Sequence, residues 1–285
     1  MVGECPLAPC IAAAVEADSS LDGDEFRHYD RGMEHRGRLM KNIVKQPFAL
    51  TAMLFLCAAL RAQDKCPVEV KFLLSSPAPE TAIASLGFER QTTGRVYFFD
   101  SDSLDLLAQG VVVRVRQGAN NDLTLKVRQP KGKQGDDNSQ LHGRFPCEID
   151  RTPGGAIVTY AVRRRYKTDK VPTIGSEVHD LLSASQTQLL RESRVSIDWA
   201  SVKRIADIRL TKWETPVASP SGKLALELWE WPAGKLLEVS AKASYVAAES
   251  KYAELEQLLK GKDLSLNAEQ DTKTSVALKT LAHRR

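Results

Sequence analysis

The 285-residue chain has few aromatic side chains, 6% of the total, and only five histidines and five cysteines. The sparse aromatics do not interleave with the basic residues. Successive bases would have little to stack on, which argues against a single-stranded nucleic-acid track. His142 and His179 stand apart from each other and from cysteine, so no zinc-ligand spacing exists. There is no Gly-x4-Gly-Lys phosphate loop and no nucleophile elbow. No charge of one sign dominates: 40 Lys and Arg against 36 Asp and Glu leave a net charge of +4. Such a balance fits an anion held locally better than a long polyanion bound along a basic face. No segment repeats at a solenoid period. The apolar run from Pro47 to Leu60 falls well short of the roughly 20 residues that a membrane-spanning helix needs.

That run follows the basic opening Met40-Lys-Asn-Ile-Val-Lys and leads through small residues to Gln63 and Asp64. This is the order of a secretory signal peptide, expected over 40–63. Cys57 invites a lipoprotein reading, but Leu56 before it is too bulky for that site. Residues 1–39 show no strong period and few large apolar side chains. They are expected to be an extension ahead of the true start, at Met40 or Met33, either mis-assigned or disordered. The remaining 222 residues, 64–285, carry 33 basic and 28 acidic side chains and are read as a single exported domain, periplasmic or secreted. Only Cys66 and Cys147 lie in that part. Strand alternation puts Cys66 opposite Glu69 and Lys71, and Cys147 opposite Glu148 and Asp150, so both thiols lie off the polar face. In an oxidising compartment a Cys66–Cys147 disulfide is expected, with two free thiols as the alternative.

What the sequence does hold is a run of cations at strand spacing. Val96-Tyr-Phe-Phe-Asp-Ser-Asp-Ser-Leu-Asp-Leu-Leu-Ala-Gln-Gly-Val-Val-Val-Arg-Val-Arg116 is followed by Leu123-Thr-Leu-Lys-Val-Arg128. Arg114 and Arg116 share one strand face, as do Lys126 and Arg128, while Val113, Val115, Leu125 and Val127 take the other. Two readings are open: the wall of an anion-binding β-structure, or the solvent face of an ordinary antiparallel sheet. Further strands are expected over 68–74, 94–99, 144–151, 205–214, 223–231 and 235–243, with helices over 77–86, 175–191, 245–259 and 272–281. Eight antiparallel strands with inserted and C-terminal helices make an α+β domain, a tunnel or barrel. Asp100-Ser-Asp-Ser-Leu-Asp105 lacks the glycine and the closing glutamate of an EF-hand and reads as a turn with side-chain bonds to backbone. Arg163-Arg-Arg165 reads as a solvated strand end, and Trp213, Trp229 and Trp231 as packing residues.

Together these residues resemble the CYTH domain, or triphosphate tunnel metalloenzyme superfamily, over nearly all of residues 66–281. The strongest piece is Tyr97-Phe-Phe-Asp through Arg116, with Leu-Thr-Leu-Lys126 after it; Leu226-Glu-Leu-Trp and Leu237-Glu-Val-Ser240 agree more loosely. The resemblance implies an eight-stranded antiparallel tunnel in which basic residues grip a triphosphate and carboxylates hold Mg²⁺ or Mn²⁺. On it, Glu69 and Lys71 match the end of the family's opening Glu-x-Glu-x-Lys. Arg114, Arg116 and Lys126 match phosphate-gripping positions, and Arg128 joins them. Glu148 and Asp150 match a mid-domain acidic pair, and Arg209 and Lys212 fall where a later basic strand lies. Glu227 matches an acidic position on the penultimate strand, and Glu238 the first glutamate of the closing Glu-x-Glu. The expected roles are then catalysis and metal binding for Glu69, Glu148 and Asp150, and metal binding for Glu227 and Glu238.

Two positions depart from the pattern: Pro67 and Ser240 stand where the family has glutamates. Neither replaces a hard anionic oxygen, so the Mg²⁺ or Mn²⁺ site is expected to be weakened. Three functions remain open. One is a metal-dependent hydrolase of tripolyphosphate or a nucleoside triphosphate, one a non-catalytic anion-binding module, and one an envelope scaffold. A small triphosphate or polyphosphate is the expected partner, without nucleic acid and without a stable membrane span.

Overall fold

Valine, leucine and aromatic residues alternate with charged or polar ones in several segments of the chain, the pattern of strands with two unlike faces. Nine strands result among the described residues: β1 (Val68–Leu74), β2 (Arg90–Asp100), β3 (Val111–Gln117), β4 (Asp122–Arg128), β5 (Cys147–Thr152), β6 (Gly155–Arg165), β7 (Lys203–Glu214), β8 (Leu224–Trp231) and β9 (Gly234–Ala243). They close into a barrel in the order β1-β5-β6-β4-β3-β2-β7-β8-β9. The computed structural model describes residues 66–76, 78–118, 121–128, 139–165, 170–216, 222–232 and 234–282. The expected leader at 40–63 and the extension 1–39 lie outside the described residues.

The α+β tunnel read from the sequence is present, with two differences. The ninth strand is β6, which returns from β5 through a two-residue Pro153-Gly154 turn and pairs with it from Thr152↔Gly155 to Cys147↔Tyr160. The sheet is also not wholly antiparallel, because β1 runs parallel to β5. Pro67 sits at the head of that parallel pair, where its carbonyl accepts the Ile149 N–H at 2.8 Å.

The barrel is apolar outside as well as partly inside. On one flank, outward-facing Val68, Val70, Phe72, Leu226, Leu237 and Val239 pack beneath α1 (Glu80–Leu86) and α5 (Ala248–Gly261), whose Ala82, Leu86, Leu255 and Leu259 are buried there. On another, Val113, Val115, Leu123, Leu125 and Val127 pack beneath α3 (Gly175–Asp180) and α4 (Ala184–Glu192). The helix expected over 175–191 is therefore two, broken at Leu181–Ser183. Ser183 caps the second with a reciprocal Gln186 bond. The fully buried Gln186 amide then donates to the carbonyls of Leu123 at 3.0 Å and Val162 at 3.1 Å, tying α4 to β4 and β6. Each large apolar side chain so covered contributes on the order of 1.5–3 kcal/mol.

A third core lies inside the barrel. Leu73, Phe98, Val112, Ile208, Trp229 and Leu236 meet Val276, Ala277 and Leu278 of α6 (Lys273–Ala282). Leu73 shares its face with Lys71 and Glu69, Trp229 shares its face with Glu227, and Phe98 stands opposite Arg114 across β2 and β3. The interior is thus divided along its length, with one part filled by apolar side chains and α6 and the other lined by charge. The short helix α2 (Asp105–Ala108) leads into β3 and is held by Asp100, whose carboxylate accepts from the backbone of Ser101, Leu106 and Leu107. Gly110 after it has φ +77°, and a Cβ there would lie 2.7 Å from the Arg128 carbonyl. Only glycine lets β3 start so close to β4.

Candidate functional site

The charged part of the interior is a cavity of about 220 Å³ lined by residues of every strand but β2. β1 contributes Glu69 and Lys71, β3 Arg114 and Arg116, β4 Lys126 and Arg128, and β5 Glu148 and Asp150. β7 adds Lys212, β8 Glu227, and β9 Glu238 and Lys242. The cationic strand faces point into the barrel rather than to solvent, since the valine and leucine faces are the ones packed under helices. Eleven of the twelve residues singled out for binding or catalysis come together here.

Arg209 is the exception and must be removed from the set. It lies three residues from Lys212, so strand alternation sends the two to opposite faces. Lys212 pairs with Glu227 inside, whereas Arg209 is exposed and pairs with Glu230. Sequence reading also missed Lys273, Thr272, Thr274 and Lys242, which line the cavity. Arg163, read as solvated, reaches the cavity from the end of β6 although its side chain is 64% exposed. Its parity with Ala161, which stands opposite Lys126, was the signal that could have found it.

The cavity's five carboxylates are all engaged by lysines. Lys71 Nζ lies 2.5 Å from Asp150 and 2.9 Å from Glu69. Lys126 pairs with Glu148. Lys273 donates to both Glu227 and Glu238, the latter at 2.7 Å. The arginines are different. Arg128 donates to Thr272 Oγ1 at 3.1 Å. Among the described residues Arg114 and Arg116 have no carboxylate within salt-bridge distance, and the Nε atoms of Arg114, Arg116 and Arg128 are buried without acceptors. Among the described residues that line the cavity, nine cations face five carboxylates, an excess of four positive charges, although Lys212 and Arg163 also have Glu214 and Asp122 beside them at 2.8 and 3.9 Å.

The electrostatics follow from this crowding. Burial, reinforced by Arg116, lowers the Arg114 guanidinium to about 9. Burial and Arg114 lower Lys126 to about 8, against the pull of Glu148. Burial would raise Asp150, but Lys71, Lys126 and Arg128 outweigh it and hold it at about 2. Burial would lower Lys71 too, but Asp150 and Glu69 raise it well above its ordinary value. Glu227 and Glu238 share Lys273 unequally. Burial pushes against both; Lys273 and Arg116 hold Glu227 low, while Glu238 is raised.

Among the described residues the carboxylates are the only hard anionic donors lining the cavity, so Glu69, Glu148, Asp150, Glu227 and Glu238 are the residues that could hold a divalent ion. As arranged, each already has a lysine ammonium beside it, which a divalent ion would have to displace. At Glu227 and Glu238 an ammonium already lies between the two carboxylates. Pro67 and Ser240 bring no further carboxylate, and Ser240 Oγ instead donates to Glu69 at 3.1 Å. A second cavity of about 330 Å³ adjoins the first, sharing Arg116, Arg163, Lys212 and Glu227, and forms a mouth.

Cys66 and Cys147 are joined by a disulfide that ties the start of β1 to the start of β5. No helix among the described residues is long and apolar enough to cross a membrane.

A closed barrel with a charged interior is the kind of fold that the CYTH resemblance implied, and this chain has it; that a C-terminal helix divides the interior was not part of that expectation. No protein-family model matches the sequence, and no curated protein matches it. Among solved structures, HpAC1 from Hippeastrum is a candidate adenylyl cyclase with a dominant triphosphatase activity. It aligns with a TM-score of 0.51 at 18% identity, over 74% of this chain and 94% of its own. A candidate adenylate cyclase from Bacillus halodurans aligns with a TM-score of 0.49 at 15% identity, over 74% of this chain and 97% of its own. A protein of Pyrococcus horikoshii OT3 aligns with a TM-score of 0.40 at 13% identity, over 77% and 99%.

Proposed function

We propose that the tunnel binds a small, highly charged anion of the triphosphate or polyphosphate class. One observation carries the reading: three arginines with buried, acceptor-less Nε atoms converge on a cavity whose described lining holds four more positive than negative side chains. Cations crowded this way repel, and an anion with several oxygens relieves the repulsion while supplying the missing acceptors. Arg114, Arg116 and Arg128 grip the phosphates. Lys71, Lys126 and Lys212 complete the basic wall. The Cys66–Cys147 disulfide supports an oxidising compartment, which agrees with export through the segment 40–63.

Titrating the purified protein with tripolyphosphate tests this. Micromolar binding that weakens with salt is expected; no heat and no shift in melting temperature at millimolar tripolyphosphate would leave only a scaffold.

A second reading is hydrolysis of the bound anion with Mg²⁺ or Mn²⁺ at a weakened site formed by Glu69, Glu148, Asp150, Glu227 and Glu238. The triphosphatase activity of HpAC1, whose fold this chain shares, favours it. Phosphate release from tripolyphosphate with either metal, lost in a Glu69→Ala, Glu238→Ala double variant, would establish this second reading.

A further inference from the structure

We infer that Lys273 is a tethered cation standing in for a divalent metal at Glu227 and Glu238, so that the tunnel holds its anion without a metal ion. The inference rests on the anion-binding reading of the same cavity and says how its carboxylates are neutralised.

Glu227 and Glu238 stand opposite each other on β8 and β9. Their side chains are 15% and 5% exposed. Two carboxylates so close and so buried need a shared cation, because neither is solvated and each repels the other. Lys273 Nζ lies between them, bonded to Oε2 of Glu227 and Oε1 of Glu238, and also sits 4.8 Å from the centre of the Trp229 ring. An ion bridging the same two oxygens would need that space, since metal–oxygen distances are only about 2.0–2.6 Å. An ammonium has three donors. The carboxylates take two, and among the described residues nothing accepts the third. That N–H is available to a phosphate oxygen, the other contact a bridging metal would make.

Lys273 is also held in place. It opens α6, where a positive side chain is opposed by the helix dipole by roughly 0.3–1 kcal/mol, so local helix preference does not put it there. The helix behind it is locked into the barrel by buried Val276, Ala277 and Leu278. The chain ahead of it is locked as well. Gln270 bonds both the N–H of Leu73, at 3.1 Å, and its carbonyl, at 2.7 Å, and Thr272 accepts from Arg128. The backbone of Lys273 therefore cannot withdraw without undoing α6. A lysine supplies one positive charge where Mg²⁺ supplies two, so Lys273 and the two carboxylates together keep one negative charge, and the nearby Arg116 also favours the ionised form of Glu227.

The test is a titration of the full-length protein and its Lys273→Met variant with Mn²⁺ alone, followed by paramagnetic resonance. Separately, tripolyphosphate binding is measured by calorimetry in EDTA and in Mn²⁺. The expected result is that Lys273→Met takes up one more Mn²⁺ per chain than the wild type. Wild-type affinity for tripolyphosphate should be alike in EDTA and Mn²⁺, while that of the variant should fall about tenfold or more in EDTA and recover with Mn²⁺. The inference is overturned if the wild type binds tripolyphosphate only with Mn²⁺, or if the variant gains no Mn²⁺. If neither protein binds tripolyphosphate under any condition, the anion reading fails, while the Mn²⁺ count still decides the role of Lys273. Should Lys273→Met not fold, Lys273→Gln, which keeps a neutral donor for the carboxylates, takes its place in the Mn²⁺ titration, and the same absence of uptake overturns the inference.

Discussion

Ser240 Oγ donates a 3.1 Å hydrogen bond to Glu69 Oε1 across the β1–β9 seam. The resemblance put a carboxylate at position 240; the serine found there makes a bond that a carboxylate could not donate. It turns a site of like-charge repulsion into one of satisfaction, and with Lys71 at 2.9 Å from the same side chain it fixes where Glu69 points. Ser240→Ala should cost about 1 kcal/mol. Chemical denaturation of the two proteins would measure it, and an unchanged midpoint would mean that the bond is worth nothing.

Arg114 is 7% exposed, charged and without an ionic partner among the described residues. A charge held this way destabilises the empty tunnel and stabilises the filled one. Arg114→Met should therefore raise the melting temperature of the unliganded protein and weaken tripolyphosphate binding by roughly 10- to 100-fold, the worth of one charge-assisted bond. Melting curves with and without tripolyphosphate read both effects. A variant that is less stable yet binds normally would show that Arg114 is structural.

The same crowding sets a pH dependence with opposite slopes for stability and binding. Lys126 is lowered to about 8 in the folded protein by burial and Arg114, from an ordinary 10.5. Between those values the unfolded chain holds a proton that the folded one has lost, so stability of the empty protein should rise from about pH 8 to 10.5. Affinity for the anion should fall over the same range as the Lys126 charge disappears. Asp150 gives the acid limb. It is held at about 2 against an ordinary 3.8, so its contribution, about 2 kcal/mol, is complete above pH 3.8 and is lost as the pH falls toward 2. Melting temperature and tripolyphosphate affinity, each followed from pH 7 to 10, test the basic limb; parallel slopes would contradict it.

The period-two cations were legible because strand alternation is a local rule: Arg114 with Arg116 and Lys126 with Arg128 needed no tertiary information beyond which face is covered. The covering itself was not local. Val113 and Leu125 face α4, some 60 residues later in the chain, and only that contact decides that the arginines point inward. The same alternation, applied strictly, would have excluded Arg209 once Lys212 was accepted. β6 was missed although its Pro-Gly turn and alternating Ile157, Thr159 and Ala161 were in view. Lys273 had no signal of this kind. It enters from the C-terminal helix, and its role depends on two carboxylates brought together by pairing of β8 with β9, 46 and 35 residues away.

The Cys66–Cys147 bridge closes a long loop whose ends are 81 positions apart in sequence. It does so beside the barrel's parallel seam, where β1 meets β5 through only three register pairs. The chain-entropy gain for a loop of that size is about 4 kcal/mol. Reduction, or Cys66→Ser with Cys147→Ser, should lower stability by roughly 2–4 kcal/mol. The loss should fall on that seam, with faster amide exchange at Glu69, Val70 and Ile149 than elsewhere in the sheet. Exchange that speeds up uniformly would mean that the bridge secures the whole barrel rather than the seam.

Packing of α6 should control the chemistry of the cavity, because the helix that fills the apolar part of the barrel also carries Lys273. Ala277 is fully buried among Phe98, Trp229 and Leu236. Ala277→Leu adds three carbons where no space exists and should cost about 1–3 kcal/mol. Relief by lifting α6 would draw Lys273 away from Glu227 and Glu238, so tripolyphosphate affinity should drop although residue 277 does not line the cavity. Ala277→Ser, nearly the same size, should disturb stability through its buried hydroxyl but leave the helix seated and the affinity close to wild type. Measuring both variants by denaturation and calorimetry separates the two effects. If Ala277→Leu lost stability but bound the anion as the wild type does, the plug and the binding wall would be mechanically independent, and the position of Lys273 would have to be set by its carboxylates alone.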